Sequence, residues 1–245
     1  MSERCRARRP ATTLARMNTV MKTDSAAGLA PTSMVDSDAP TVRAYALAHS
    51  AGHATDRARA VALYYAVRDG IRYDPYGLDL SENGLRASTT LAAGRGWCVP
   101  KAVLLAAACR AIGIPAALGY ADVRNHLSTA RMRQQMQTDV FYWHGYTAIL
   151  LDGRWLKATP AFNVELCDKF RIRALEFDGR KDSIYHPLDL DGRQHMEYLA
   201  YRGEFADVPL DDMVADFRKY YPAVSEDLAQ GDFDRDVNVE TATPV

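Results

Sequence analysis

The sequence predicts an α+β fold in which helices come first and an antiparallel sheet follows. Three observations point to it. Residues 55–69 (TDRARAVALYYAVRD) repeat Ala60, Leu63, Tyr64 and Val67 at helical spacing. Residues 97–116 (WCVPKAVLLAAACRAIGIPA) make the most apolar helical stretch of the chain. Two apolar runs, VFYWHGYTAILL and RWLKATPAF, flank Asp152-Gly153, a strong short-range hairpin signal.

In chain order, the first segment stands apart in charge. Arg4, Arg6, Arg8, Arg9, Arg16 and Lys22 face only Glu3 and Asp24. Such a start reads as a disordered tail or an early start codon, with Met17, Met21 and Met34 as later starts. A transit peptide is the alternative. We take 1–35 as a disordered tail and 36–222 as one domain, with an extension after about residue 163. No signal-peptide apolar region is present, so export is not expected.

Thr55 or Asp56 can cap the 55–69 helix, and Gly70 breaks it before a Pro-containing extended segment. Residues 85–94 read as a loop or short helix. The apolar helix after Trp97 is stopped by Gly113 and Pro115. A strand is expected over 116–123, and a loop or exposed helix over 124–138. The hairpin follows, then a short helix near 163–170, turns at Asp178-Gly179 and Asp191-Gly192, and an apolar stretch near 208–217. Glu226, Asp227, Asp232, Asp234, Asp236 and Glu240 against Arg235 make 223–245 an acidic tail, expected to be disordered.

Composition excludes several classes. The 245 residues are 48% hydrophobic and 25% charged, with 30 Lys+Arg against 31 Asp+Glu. A nucleic-acid binder should show a clustered basic excess, so no nucleic-acid partner is expected. No apolar run approaches the ~20 residues that cross a bilayer. No membrane partner is expected either, and the expected location is cytoplasmic. Cys5, Cys98, Cys109 and Cys167 are too few for a disulfide scaffold and lack zinc-site spacing. His186 and His195 have no ligand-spaced partners, so no metal or cofactor is expected.

Cys98 follows Gly-Arg-Gly-Trp and opens the apolar helix. There the helix dipole and unpaired backbone N–H groups favour thiolate over thiol and can receive an oxyanion. Gly96 and Trp97, with Trp143, would form the turn and substrate cleft beside it. Pro100 fits the first helical turn, where its missing N–H leaves nothing unpaired. Cys109, inside the apolar helix, and Cys167 read as structural. Iodoacetamide near pH 6 is accordingly expected to label Cys98 first.

A nucleophilic cysteine needs a base, and the base an orienting partner. Among His49, His53, His126, His144, His186 and His195, only His144 opens a predicted strand, with Phe141, Tyr142 and Trp143 to shield it. A two-residue turn at Asp152-Gly153 pairs Leu151 with Arg154 and Leu150 with Trp155. Continued, it pairs Tyr146 with Thr159 and His144 with Ala161, placing Thr159 diagonal to His144.

The order Gly94-x-Gly-Trp-Cys98, Arg110-Ala-x-Gly-Ile-Pro-Ala116, His144, then Asp152-Gly-x-Trp155 resembles the transglutaminase-like superfamily. The resemblance implies a papain-like core, with the nucleophile at the start of a helix packed on an antiparallel sheet. It further implies a Cys-His-Asp triad that performs acyl transfer or amide hydrolysis through a thioester. Cys98 and His144 carry over as nucleophile and base. The third member does not, because Thr159-Pro160 stands where the family has Asp-Pro. Thr159 can accept the imidazole N–H but carries no charge. Asn163 is the alternative orienter, and Asp178 or Glu176 are the carboxylates left; Asp152 lies about eight residues along the strand, too far to reach. The expected partner is a peptide, amide or thioester substrate, with water or an amine as acceptor. Segment 124–138 and the extension after 163 are expected to wall the cleft. The rival reading is a catalytically impaired fold serving as a binding module.

Overall fold

The computed structural model describes residues 26, 28–125, 128–184, 188–193, 195–224, 228 and 230–242. Cys5, His126, His186 and the reading of residues 1–25 as a tail lie outside them. Two helices, α1 (Pro40–Ser50) and α2 (Asp56–Gly70), lead the fold, and Thr55 caps α2 by accepting from the Ala58 N–H. The short β1 (Arg72–Tyr73) follows, then α3 (Glu82–Leu85) and α4 (Ala87–Ala93). Gly94, left-handed at φ 64°, ends α4. β2 (Arg95–Gly96) then pairs in parallel with β1.

The central element is α5 (Cys98–Ala111), in which every residue from Cys98 to Arg110 is buried. A helix apolar on all sides belongs inside a fold, and α5 has α1, α2 and α4 on one side and the sheet on the other. Its two buried charges are hydrogen-bonded. Lys101 Nζ donates to the Arg68 and Ile71 carbonyls at 2.9 and 2.5 Å, at the end of α2. Arg110 donates to the Ala116, Ala30 and Ala206 carbonyls at 2.9, 2.8 and 2.7 Å. Both side chains therefore tie the helix to neighbouring chain segments.

The main sheet comprises β3 (Ala116–Asn125), β4 (Val140–Leu151), β5 (Arg154–Ala158) and β6 (Met196–Phe205). Among the described residues its order is β5-β4-β3-β6, antiparallel throughout. Asp152 and Gly153 take φ of 50° and 75°, the left-handed pair of a type I′ hairpin turn. The register begins as expected, Leu151 opposite Arg154 and Leu150 opposite Trp155, but ends at Thr147 opposite Ala158. The expected pairs Tyr146–Thr159 and His144–Ala161 do not form. The Thr159 N–H instead donates to the Ser183 carbonyl at 3.1 Å, and Pro160 has no N–H to continue the ladder. On the face away from α5, Tyr146 crosses Gly119 so closely that a Cβ there would lie 2.1 Å from the ring.

Several expectations change. Residues 28–35 belong to the fold: Met34 and Val35 are buried, and the Gly28 carbonyl accepts from Ala116 N–H. Segment 124–138 contains α6 (Ala130–Met136), whose Met132 and Met136 are buried rather than exposed. After α7 (Val164–Lys169) and β6, the apolar stretch near 208–217 is α8 (Leu210–Tyr220). The acidic segment is not a free tail over residues 233–242, which form α9 (Phe233–Ala242) with Phe233 and Val237 buried. Its acids find cationic partners on the core. Asp234 pairs with Arg72 at 2.7 Å, and Asp236 accepts from Arg131 at 2.9 Å and the Tyr76 hydroxyl at 2.8 Å. No helix among the described residues is long and apolar enough to cross a membrane.

Candidate active site

β2 delivers the chain to Cys98. Arg72 and Asp74 donate their backbone N–H to the Gly94 and Gly96 carbonyls at 3.0 and 3.1 Å, so the turn before Trp97 is held by the β1 segment. Trp97, in extended backbone, is the residue before α5, and Cys98 is its first helical residue. The backbone amides of Gly145, Val99 and Cys98 itself lie near the sulfur and favour its anion. Gly145 makes this possible: a Cβ on it would lie 3.0 Å from the Val99 Cα and 3.3 Å from the Cys98 carbonyl oxygen.

His144 precedes Gly145 and sits opposite Ala121 of β3. Just before it, Trp143 takes φ 62°, an uncommon value for a non-glycine residue. Three partners hold this bend. Trp143 N–H donates to Asp122 at 3.2 Å, its indole Nε1 donates to Asp216 of α8 at 2.9 Å, and the Arg202 guanidinium lies 4.3 Å from its ring centre. Arg202 in turn bonds Asp122 and Asp216 at 2.5 and 2.6 Å.

Cys98 and His144 line one cavity of about 510 Å³, open mouth included. Trp97 lines it too, while Gly96 and Trp143 do not; Trp143 lines a separate surface hollow with Arg202 and Asp216. Part of the wall comes from the segments expected to supply it. Met132 and Met136 reach in from α6, and Phe217 and Tyr221 from the α8 region, with Val224 and Leu228 beyond. Phe141 and Tyr142 of β4 line it beside His144, and Tyr73, Pro75 and Leu78 complete it; sequence reasoning missed the last three because nothing in their spacing ties the β1 segment to Cys98.

Burial governs the protonation of both groups. It pushes the Cys98 thiol up to about 11, and the three amides near the sulfur offset only part of this. Burial pulls His144 down to about 4, with His195 adding repulsion in the same direction. Both shifts favour the neutral thiol and the neutral imidazole, opposing the thiolate expected from the helix start. His195 itself is buried, and Tyr198 of β6 meets the His144 ring edge-on at 6.4 Å between centres. Both were missed because β6 carries register shifts in its pairing with β3, and bulged strands do not alternate cleanly in sequence. The Cys109 and Cys167 thiols are fully buried and pushed up to about 12, in keeping with structural roles.

The candidates for a third member lie elsewhere. Thr159 is buried outside the cavity, and its hydroxyl has no hydrogen-bond partner among the described residues. Asn163 is the residue before α7 but its side chain does not cap the helix; its Oδ1 accepts from the Tyr73 N–H at 3.2 Å. Glu176 and Asp178 are exposed, and Asp178 accepts from the Arg180 and Lys181 N–H groups in its own turn. None of these four lines the cavity. Among the described residues no group of three or more His, Cys, Asp or Glu side chains is placed to hold a metal ion.

Residues 43–160 match the core of the Transglutaminase-like superfamily. Over those residues the chain is similar to a transglutaminase-like core. That core runs from α1 to Pro160 and contains Cys98, His144 and the β3–β5 strands; β6, α8 and α9 lie beyond it. Among solved structures the chain is similar to a proposed cysteine protease from Cytophaga hutchinsonii, at 20% identity and a TM-score of 0.44, covering 58% of this chain and 43% of that one. It is also similar to a proposed protease from Parabacteroides distasonis, at 13% identity and a TM-score of 0.35, covering 52% and 26%. The chain thus spans less than half the length of either. No curated protein matches it.

Proposed function

We propose that the protein is a cysteine-dependent acyl-transfer or amide-hydrolysing enzyme that works through a thioester on Cys98. The observation that carries this reading is the placement of Cys98 at the start of α5, in one cavity with His144 and with three backbone amides near its sulfur. Because burial favours the neutral form of both groups, His144 takes the thiol proton as the sulfur attacks, acting as general base rather than as the cation of a standing ion pair. The sulfur forms a bond to the acyl carbon, and the carbonyl oxygen becomes an oxyanion received by the N–H groups at the start of α5. His144 then returns the proton to the leaving amine, alcohol or thiol as the carbonyl re-forms. Water or an amine attacks the thioester in the second half, and the sulfur recovers its proton.

The test is intact-protein mass spectrometry after exposure to activated acyl donors, with the adduct mapped by digestion. An acyl group on Cys98 that is absent from C98A and that turns over more slowly in H144A supports the reading. Adducts confined to other residues overturn it. A second reading, a binding module that kept the fold, draws on Thr159 standing where the family has Asp. It predicts ligand binding without turnover, and a thioester that forms and hydrolyses excludes it.

A further inference from the structure

The Cys98 cavity is apolar almost to its chemistry. Among its described lining residues, no carboxylate, ammonium, guanidinium or carboxamide side chain is present; the polar groups are Cys98, His144, the Trp97 indole and the tyrosine hydroxyls. The Tyr221 hydroxyl is already used, donating to the Val140 carbonyl at 2.9 Å and accepting from the Tyr142 N–H at 2.7 Å. The Tyr142 ring is occupied as well, stacked on Tyr220 at 3.9 Å. The walls instead include Phe217, Leu228 and the Met132 and Met136 thioethers, which adapt to irregular apolar shapes. Charged side chains gather in a different hollow, where Arg72, Asp74, Arg95 and Asp234 meet solvent.

A charged group placed between these methionines and Phe217 would lose its water and meet no side chain of opposite charge, with only the Trp97 indole and the Tyr73 and Tyr142 hydroxyls among the neutral polar groups of the walls, which disfavours it. An alkyl or aryl group loses nothing polar and covers apolar wall. Resting on the reading of Cys98 as nucleophile, we infer that the acyl donor is an ester, thioester or amide whose acyl group is uncharged and apolar. That group seats against Met132, Met136 and Phe217 while the carbonyl faces Cys98. The chemistry balances as for any acyl-enzyme. The C–S bond forms as the bond to the leaving oxygen, sulfur or nitrogen breaks, and the thiol proton passes through His144 to the leaving group. Water then forms the C–O bond of the free acid, the C–S bond breaks, and a proton from that water returns to sulfur.

Two p-nitrophenyl esters of matched length test this, the hexanoate and the half-ester of glutarate. We expect nitrophenolate release at a kcat/KM about tenfold or more higher for hexanoate, with a hexanoyl adduct on Cys98. M136K should reverse or erase that preference by offering the glutarate carboxylate a partner, and F217A should weaken hexanoate through KM. Equal use of both esters, or preference for glutarate, with the adduct still on Cys98 overturns the apolar class and leaves the nucleophile standing. No adduct on Cys98 from either ester overturns the nucleophile and this inference with it. Undiminished selectivity in both folded variants overturns the placement of the acyl group in this cavity.

Discussion

Gly145 lies so close to Val99 that a Cβ built on it would stand 3.0 Å from the Val99 Cα. The contact seats the first turn of α5 on β4 and leaves the Gly145 N–H near the Cys98 sulfur, one residue from His144. The relative position of Cys98 and His144 is therefore set by backbone meeting backbone, with no side chain between.

Gly145→Ala should push the start of α5 away from the strand. We expect a loss of about 1–3 kcal/mol in stability, the usual penalty of overpacking, and a fall in kcat larger than any rise in KM. Urea unfolding and ester kinetics on the same preparation check both. A variant of unchanged kcat would mean that the contact does not position the sulfur.

The Cys98 thiol, pushed up to about 11 by burial, should react slowly with iodoacetamide at pH 6. Its rate should climb steadily as pH rises through 9. Peptide mapping of a labelling series reads this directly. Fast, selective labelling of Cys98 at pH 6 would show that a thiolate is already present and that the amides outweigh burial.

His144 takes a proton near pH 6.5 in an unfolded chain but only near 4 in the fold. Between those values the unfolded state binds more protons, so unfolding becomes easier as pH falls from 6.5 to 4. The effect reaches about 3 kcal/mol, since each tenfold change in proton affinity is worth about 1.4 kcal/mol. Above pH 6.5 the contribution is complete and flat. Comparing urea midpoints at pH 7, 5.5 and 4 for the native chain and H144Q isolates it. Parallel pH dependence in the two would place the acid sensitivity elsewhere.

Arg202 bonds Asp122 and Asp216 and covers the Trp143 ring, joining β3, β6 and α8 around the bend that precedes His144. Its side chain is one-fifth exposed. Replacing it by methionine keeps the packing stem but removes the cation that bridges two part-buried carboxylates. We expect about 1–3 kcal/mol of destabilisation and, through a looser α8 bearing Phe217, a higher KM with kcat less affected. Thermal unfolding and steady-state kinetics distinguish this from Gly145→Ala, where kcat should move more.

Local patterns made most of the core readable. The Ala60, Leu63, Tyr64, Val67 stripe is buried as its spacing demands, and the Asp152-Gly153 turn set the first hairpin pairs correctly. Reading failed where pairing is non-local. Nothing in residues 196–205 alternates cleanly, because the strand bulges against β3. Nor does anything in Phe233 or Val237 announce a helix docked on the tyrosines of β1 and its following loop. An acidic run looks solvated until Arg72 and Arg131, distant in sequence, supply its counter-charges.

By itself the sequence determined the order of helices and sheet, the cysteine at the start of α5 and the histidine in the first half of β4. Each of these is written in a local pattern of spacing, capping or turn residues. Only the tertiary structure decided that the two share an apolar cavity, that burial favours the neutral form of both there, and that Thr159 stands outside it. Protonation and cavity lining depend on burial. Burial here is imposed by α6, β6 and α8, segments that reach the site across the fold rather than along the chain.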